Sequence, residues 1–457
     1  MIQARIKALL GEYSMKDNKP IKILLYAGTA TLENVGDVAM LEVGISRIRQ
    51  PFPNAELTLF SKNREAVQQI LGKDIQTISP NTRNLFFKNS KLLPIYNRLP
   101  SRIREFLKPI LQKYRYSYFD HFYRRLLGRV TSKQREELNQ FVNTVQKADI
   151  LVFTGMGSIH YRSASGFNIF NLVGWCLSLK KKVVMMGQGI GPIKKGSRLD
   201  KLAQKYLPKV NLIGVREKFS YENVQAYGLD ETKICLTGDD ALALSHYDTV
   251  TPDRTENQLF RIGLNLRTNH QTAFLFEETQ SVISSVNAVA LDRKYQILPL
   301  ILNPDSSGDQ KLVFDDYLFD QCQELFDEKV LLDYTDQRKI SLPKETIRKI
   351  KGTDLVITFA FHTAVFAIAS GVPVICVYKT DYYYQKFMGL LSFFDIPELI
   401  LEFDADNFRA HLEEKMNYIA QNRAALIEKM LVKRRNVNQY TTAFYTKFFE
   451  SLTLKTA

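Results

Sequence analysis

One almost wholly apolar segment, residues 354–378, constrains the fold of this chain more than any other part of it. At about 25 residues it has the length of a membrane span, but Gly371 interrupts it. Its β-branched and aromatic runs predict buried strands over residues 355–359 and 374–378. Residues 362–370 between them predict a short helix, which Gly371 ends. A strand, a helix and a second parallel strand form the repeating unit of an α/β domain.

His362 stands near the middle of this apolar unit, at the predicted turn from strand to helix. Ligands of open parallel sheets bind at the carboxyl ends of the strands, where helix N-termini favour anions. A buried core histidine is the plain interpretation of such a residue. Its place at the turn favours instead a functional role in a site at this end of the sheet.

The length of 457 residues exceeds what one ordinary core accommodates, so we expect two domains. Buried strands alternate with helical patterns on both sides of a polar, proline-containing stretch at residues 246–258. The pattern predicts an α/β fold of two Rossmann-like, doubly wound domains that face a cleft, a GT-B-like arrangement. The expected parts are an N-terminal extension (1–20), a first domain (21–245), the linker (246–258), a second domain (259–403) and C-terminal helices (404–457).

A basic, aromatic insertion is expected in the first domain as helices over residues 81–145. Residues 81–130 carry twelve Lys and Arg against Glu105 and Asp120, together with ten aromatic residues, in a chain whose net charge is +14. One interpretation is a solvated basic face with its aromatic residues packed inward. Peripheral contact with an anionic membrane is another. No nucleic-acid motif is present, so a nucleic-acid partner is not expected.

The four cysteines lie far apart and lack metal-ligand spacing, and the N-terminal residues carry no apolar run of signal-peptide length. These features favour a reducing compartment. We therefore expect a cytoplasmic protein, with the inner face of the membrane as its alternative location. We expect no bound metal or cofactor.

Four glycine-bearing turns follow predicted strands and define a candidate crevice. None matches the dinucleotide fingerprint or the Walker P-loop. Each turn is explained either by tight backbone packing or by backbone N–H groups that approach a ligand. Their candidate ligand-binding residues are Asn34, Gly36, Asp37, Gly155, Gly157, Ser158, Gln188, Gly189, Gly191 and Asp239.

Three charged residues at predicted element ends are further candidates. Asp37 is either a carboxylate that caps its helix or a polar group of the cleft. Arg216 and Arg267 each end a predicted strand, where they form a salt bridge or bind an anion.

The order of these motifs resembles the polysaccharide pyruvyl transferase family over residues 21–397. The family's N-x-G-D turn corresponds to residues 34–37, and its G-Q-G-I/L-G-P turn is complete at residues 187–192. The remaining matches are a G-G-G-S-like turn at 155–158, V-R-E at 215–217, T-G-D at 237–239 and the histidine motif that begins at His362.

The resemblance implies transfer of a pyruvyl group from phosphoenolpyruvate to a sugar of a cell-surface glycan, or of its lipid-linked precursor, as a cyclic ketal. It implies His362 as the acid/base, Arg216 as the clamp on the donor anion and Asp37 on the acceptor side. The family arginine two residues before the histidine is Ala360 here. Arg216, Arg267, Lys379 and Lys386 are candidates to supply the missing positive charge.

Two other functions remain open at this point. A two-domain glycosyltransferase that uses a nucleotide sugar would share the same architecture. A non-catalytic glycan-binding protein that has lost its donor site would explain the alanine at position 360.

Overall fold

The computed structural model describes residues 20–28, 32–79, 100, 131–163, 165–252, 259–269, 271–304, 314–338 and 342–453. Most of the expected N-terminal extension lies outside the described residues. So does most of the predicted basic insertion, at residues 80–99 and 101–130. None of the helices in the described part of the chain combines the length and the apolar composition that a membrane span requires.

The first domain is built on a parallel sheet, to which the described residues contribute eight strands. The order is β3-β2-β1-β4-β6-β7-β8, and the short β5 pairs with β6. The strands are β1 (Lys22–Tyr26), β2 (Glu56–Phe60), β3 (Gln76–Ile78), β4 (Ile150–Phe153), β5 (Met156–Ile159), β6 (Lys182–Ile190), β7 (Leu212–Val215) and β8 (Ile234–Leu236).

Helices cover both faces of this sheet, which is why β4 is buried along its whole length. They are α1 (Val35–Arg49), α2 (Arg64–Leu71), α3 (Ser132–Lys147), α4 (Ser165–Ser178), α5 (Arg198–Tyr206), α6 (Lys218–Ala226) and α7 (His246–Thr249). The stretch expected to be a linker therefore begins with a short helix, and its residues 253–258 lie outside the described part.

The second domain has a parallel sheet of five described strands in the order β10-β9-β11-β12-β13. They are β9 (Arg261–Asn265), β10 (Gln296–Pro299), β11 (Leu355–Thr358), β12 (Val374–Tyr378) and β13 (Ile400–Glu402). The helices are α8 (Phe276–Arg293), α9 (Asp315–Gln321), α10 (Pro343–Lys351), α11 (Phe361–Ala369) and α12 (Asp381–Phe393).

A 46-residue helix, α13 (Phe408–Thr453), follows the second sheet and packs on both domains. Its early residues, such as Leu412, belong to the second-domain core. Its late residues, such as Phe444 and Phe448, are buried in the first-domain core. The C-terminal region expected as helices is thus one continuous helix that crosses from one domain to the other.

The apolar segment folds as its pattern predicts, with β11, α11 and β12 within one or two residues of the expected bounds. Residues 330–333 do not form a strand, and Leu331 makes only an isolated bridge to Ile297. Asp333 turns the chain there, because its carboxylate accepts hydrogen bonds from the backbone N–H and hydroxyl of Thr335.

The order of the strands determines where the crevice of each sheet lies. In the first sheet the order reverses beside β1 and β4, and in the second beside β9 and β11. The loops at the carboxyl ends of these strands are where open α/β sheets bind ligands. The loop after β1 leads to Asn34, and the loop after β11 leads to His362.

Candidate active site

The N-terminus of α1 forms the first-domain floor of the site. The Asn34 side-chain oxygen accepts hydrogen bonds from the backbone N–H groups of Gly36 (3.1 Å) and Asp37 (3.3 Å). The backbone N–H of Val35 donates to the carbonyl of Leu302 in the second domain at 3.2 Å. Asn34 therefore caps the helix, and the capped end is fixed at the domain interface.

His362, in the first turn of α11, lies directly against Gly36. A Cβ added to Gly36 would stand 2.0 Å from Cγ of His362, a distance that no side chain tolerates. The imidazole itself is only 15% exposed. Glycine at position 36 thus allows the second-domain histidine to reach the positive end of α1.

Arg216 extends from the end of β7 into the crevice and is buried. Its guanidinium forms ion pairs with Glu217 and Asp239, each at 3.5 Å. Its head lies between two glycine turns, since a Cβ at Gly189 would stand 2.4 Å, and one at Gly157 2.8 Å, from Nη2 of Arg216. The absence of a side chain at Gly157 and Gly189 therefore leaves room for the guanidinium of Arg216.

Asp239 connects Arg216 with His362. One carboxylate oxygen of Asp239 accepts a hydrogen bond from the backbone N–H of Ala241 at 3.0 Å, which fixes the Asp239 side chain. The other oxygen lies 3.5 Å from Nη1 of Arg216 and 3.9 Å from Nε2 of His362. A first-domain carboxylate is therefore placed to orient a first-domain cation and a second-domain imidazole together.

The second domain adds Arg267, just beyond β9. Nη2 of Arg267 lies 3.4 Å from the carboxylate of Asp315, which is fully buried. Asp315 also accepts hydrogen bonds from the side chain of Asn265 and the backbone N–H of Leu302, both at 3.0 Å. This network fixes Arg267 on the second-domain wall.

Lys386 on α12 is the third cation of the cleft. Its ammonium lies over the rings of Phe361 (4.9 Å), Tyr382 (4.8 Å) and Tyr383 (5.3 Å). Arg216 lies over the same Phe361 ring at 4.1 Å. Lys379, the other lysine predicted for the site, instead forms an ion pair with Glu278 at 2.6 Å.

Burial and the three cations together shift the pKa values of the site. Burial lowers the pKa of His362 well below 6.5, and the charges of Lys386, Arg216 and Arg267 lower it further. His362 is therefore neutral near pH 7. Burial raises the pKa of Asp37 to about 6, against the opposing effect of Lys386. The cleft thus holds a carboxyl group whose pKa lies close to neutral pH and an imidazole that is neutral there, so its free nitrogen can accept a proton.

The other predicted residues hold the turns in place. The Gln188 side chain donates to the carbonyls of Thr154 (2.8 Å) and Met186 (2.6 Å). Gly155 packs against Met40, Gly191 packs against Asn223, and Ser158 is half-buried on β5. A role for any of these residues in substrate binding stays a prediction.

Tyr382 is a site residue that the sequence did not single out. It reaches across from α12 to the first domain, where its hydroxyl donates to the carbonyl of Gly157 at 3.0 Å. Its ring stacks on the buried His160, with 4.0 Å between the centroids. Tyr382 and Lys386 are one helical turn apart and so lie on the same face of α12. The Y-Y-Y-x-K pattern after β12 is therefore the sequence feature from which Tyr382 could have been predicted as a neighbour of Lys386.

A second such residue is Asp240, which follows Asp239 behind the site. Burial raises its pKa to about 8, and the charge of Asp239 adds to this effect. Asp315 was also not predicted as a site residue, because nothing in the sequence links it to Arg267, 48 positions away.

Within the described residues, no group of His, Cys, Asp and Glu side chains could hold a metal ion.

The family model of the polysaccharide pyruvyl transferases matches residues 34–380. This chain belongs to the polysaccharide pyruvyl transferase family. The match begins at the cap of α1 and includes Arg216, Asp239 and His362. Membership in the family makes the protein a transferase. No curated protein sequence matches the chain significantly.

Solved structures with the same fold are similar to almost the whole chain at low identity. The HepE protein of Anabaena, in complex with UDP and glucose, has a TM-score of 0.52 and 10% identity, covering 94% of this chain and 99% of that one. The glycotransferase of kitacinnamycin has a TM-score of 0.52 and 9% identity, with coverages of 96% and 100%.

A UDP-N-acetylglucosamine 2-epimerase of Neisseria meningitidis, bound to UDP-GlcNAc, has a TM-score of 0.50 and 12% identity. The match covers 95% of this chain and 99% of the epimerase. At such identities the likeness concerns the fold alone. It confirms the predicted GT-B-like arrangement of two Rossmann-like domains.

Proposed function

We propose that this transferase moves the pyruvyl group of phosphoenolpyruvate onto a sugar, forming a ketal and releasing phosphate. The observation that supports it is that His362, which is neutral near pH 7, lies against Gly36 at the N-terminus of α1, whose first turn also carries Asp37. The charges of Arg216, Arg267 and Lys386 act on the pKa of both groups. Phosphoenolpyruvate carries a phosphate and a carboxylate. A site with three cations at a helix N-terminus is suited to such a ligand.

In this reaction two hydroxyl groups of the sugar bond to C2 of the pyruvyl group. C3 gains a proton and becomes a methyl group, and the C2–O bond to phosphate breaks. The first hydroxyl loses its proton to neutral His362, which then protonates C3. The second hydroxyl gives its proton to ionised Asp37 as phosphate leaves. Arg216 and the other cations stabilise the phosphate as its charge grows.

We place the acceptor sugar on the Asp37 side of the cleft, where a glycan or its lipid-linked precursor would enter. Contact with an anionic membrane through the basic insertion belongs to the same proposal. Among the solved neighbours, the HepE protein is in complex with UDP and glucose, the epimerase is bound to UDP-GlcNAc, and a third is a glycotransferase. A UDP-sugar is therefore the ligand against which phosphoenolpyruvate has to be compared.

The experiment is to incubate the purified protein with phosphoenolpyruvate and a panel of glycan acceptors. We expect phosphate release together with a product heavier by one pyruvyl ketal that is labile to mild acid. His362→Gln should abolish both, whereas His411→Gln, a histidine on α13, should not. Calorimetric binding of UDP-glucose without binding of phosphoenolpyruvate would contradict the proposal and favour a nucleotide-sugar glycosyltransferase.

A further inference from the structure

A second cavity lies where the C-terminal half of α1 meets the second domain. Its volume is about 550 Å³, which is in the range of small-molecule sites, and such sites often lie at domain interfaces. The first domain lines it with α1, α2 and the start of α7, and the second domain lines it with residues 342–344 at the start of α10. None of these lining residues belongs to the active site.

The apolar part of the lining is aliphatic. Both domains contribute to it, through Ile45, Ile70, Leu71, Leu342 and Pro343. Leu342 leaves 41% of its surface exposed, although it is a large apolar residue. No Phe, Tyr or Trp is among the described lining residues, so no such ring is available to stack on a nucleobase. This lining favours an aliphatic chain as the ligand.

The charged side chains of the cavity favour an acidic end on that chain. Oε1 of Glu42 lies 2.9 Å from Nε2 of His246, and Arg49 forms an ion pair with Asp74. Within the described part of the chain, Lys344 forms no hydrogen bond or ion pair. An ammonium group beside an aliphatic wall is suited to a ligand with an apolar chain and an anionic head.

The helices around the cavity also position the two halves of the active site. α1 begins at the cap Asn34 and at Gly36. α10 packs on α1 and on α11, the helix that carries His362. A ligand held between α1 and α10 contacts both domains at once, so it binds best to the arrangement in which Gly36 touches His362.

We propose that this cavity binds a single amphipathic anion with an aliphatic chain, of the chemical class of a free fatty acid, and that the bound ligand stabilises the arrangement of the two domains. The chain lies between Ile45 of α1 and Leu342 before α10, and the acidic head lies against Lys344. This site is separate from the cleft and does not depend on the proposed reaction.

The test is calorimetric titration of the full chain with octanoate and, separately, with decanoate. Decanoate should bind roughly tenfold more tightly, because two more methylene groups are buried. Leu342→Glu replaces part of the aliphatic wall by a charge of the same sign as the ligand and should weaken decanoate binding by about tenfold or more. Leu291→Glu on α8 is the matched control, since Leu291 is 42% exposed and lies outside the cavity.

Lys344→Gln examines the head of the ligand separately from its chain. The loss of one charge should weaken octanoate and decanoate by a similar factor of about threefold or more and leave the ratio of the two affinities unchanged. Decanoate should raise the melting temperature of the wild-type protein and of Leu291→Glu, and should raise that of Leu342→Glu much less.

Three results would overturn the proposal. The first is equal binding of octanoate and decanoate, or of neither, by the wild-type protein. The second is wild-type affinity for decanoate in a folded Leu342→Glu. The third is binding to phosphatidylglycerol vesicles that Leu342→Glu abolishes, without binding of decanoate, because the surface would then contact a membrane and not a single free chain.

Discussion

Gly36 and His362 come from different domains, and the α-carbon of the first touches the imidazole ring of the second. A methyl group on Gly36 would lie 2.0 Å from Cγ of the histidine. The two halves of the cleft therefore meet at a point where only hydrogen fits. Any enlargement of Gly36 has to move either the imidazole of His362 or the domain that carries it.

Gly36→Ala should therefore separate activity from stability. We expect kcat to fall by about tenfold or more, because a misplacement of about 1 Å at a reacting group has effects of this size. The matched control is Gly44→Ala in the same helix, where the nearest atom to an added Cβ is at an ordinary 3.6 Å. That variant should keep its activity and gain up to about 1 kcal/mol of stability from helix propensity. Equal activity of the two variants would show that the close contact has no catalytic consequence.

Asp37 should give the proposed reaction a characteristic pH dependence. Its pKa is raised to about 6, mainly by burial, and the proposed reaction needs its ionised form. Activity should then rise as the pH increases through about 6, since His362 is already neutral there. The measurement is kcat/KM against pH for the wild type and for Asp37→Asn. The variant should be much slower and should lack the rise near pH 6; a rise that persists in Asp37→Asn would assign it to another group.

Asp240 makes the stability of the protein depend on pH. Its pKa of about 8 in the folded state exceeds the ordinary 3.8, because the carboxyl group is buried next to Asp239. Unfolding therefore releases a proton, and stability falls as the pH rises from about 4 to about 8. Asp240→Asn cannot ionise, so its urea midpoint should fall less over this range and should exceed the wild-type midpoint at about pH 8. Parallel midpoint curves for the two proteins would mean that Asp240 is ionised in the folded state.

Tyr382 should contribute to the attachment of the two domains. Tyr382→Phe removes the hydrogen bond to the Gly157 carbonyl and keeps the stacking on His160. We expect a loss of about 1 kcal/mol, the usual net value of one hydrogen bond, and a higher KM for the donor. Tyr384→Phe, two residues away and 38% exposed, is the control. Indistinguishable urea curves and KM values for all three proteins would exclude a contribution from this hydrogen bond.

The sequence predicts much of the fold because apolar runs of strand length alternate with helical patterns, and glycine or proline marks their ends. The short strands β3, β5 and β13 escaped prediction, since three or four residues carry too little pattern. The strand-end rule placed Arg216, Arg267 and His362 near a common crevice.

Which side chains touch one another depends on tertiary packing that the sequence does not display. Lys386 lies on a helix, not at a strand end, and enters the cleft only because α12 lies against α6 of the other domain. Asp315 meets Arg267 through the packing of α9 on the end of β9, which likewise leaves no mark in the sequence.

The long helix α13 has a mechanical consequence for the cleft. The polypeptide leaves the first domain once, after α7, and returns to it through 46 helical residues, roughly 70 Å at 1.5 Å per residue. The domains are therefore held by two covalent crossings instead of one, and the second crossing is a stiff rod buried at both ends. If the cleft widens, the domains therefore have to rotate about an axis near these crossings, and closure by the same rotation would return Gly36 and His362 to the same contact.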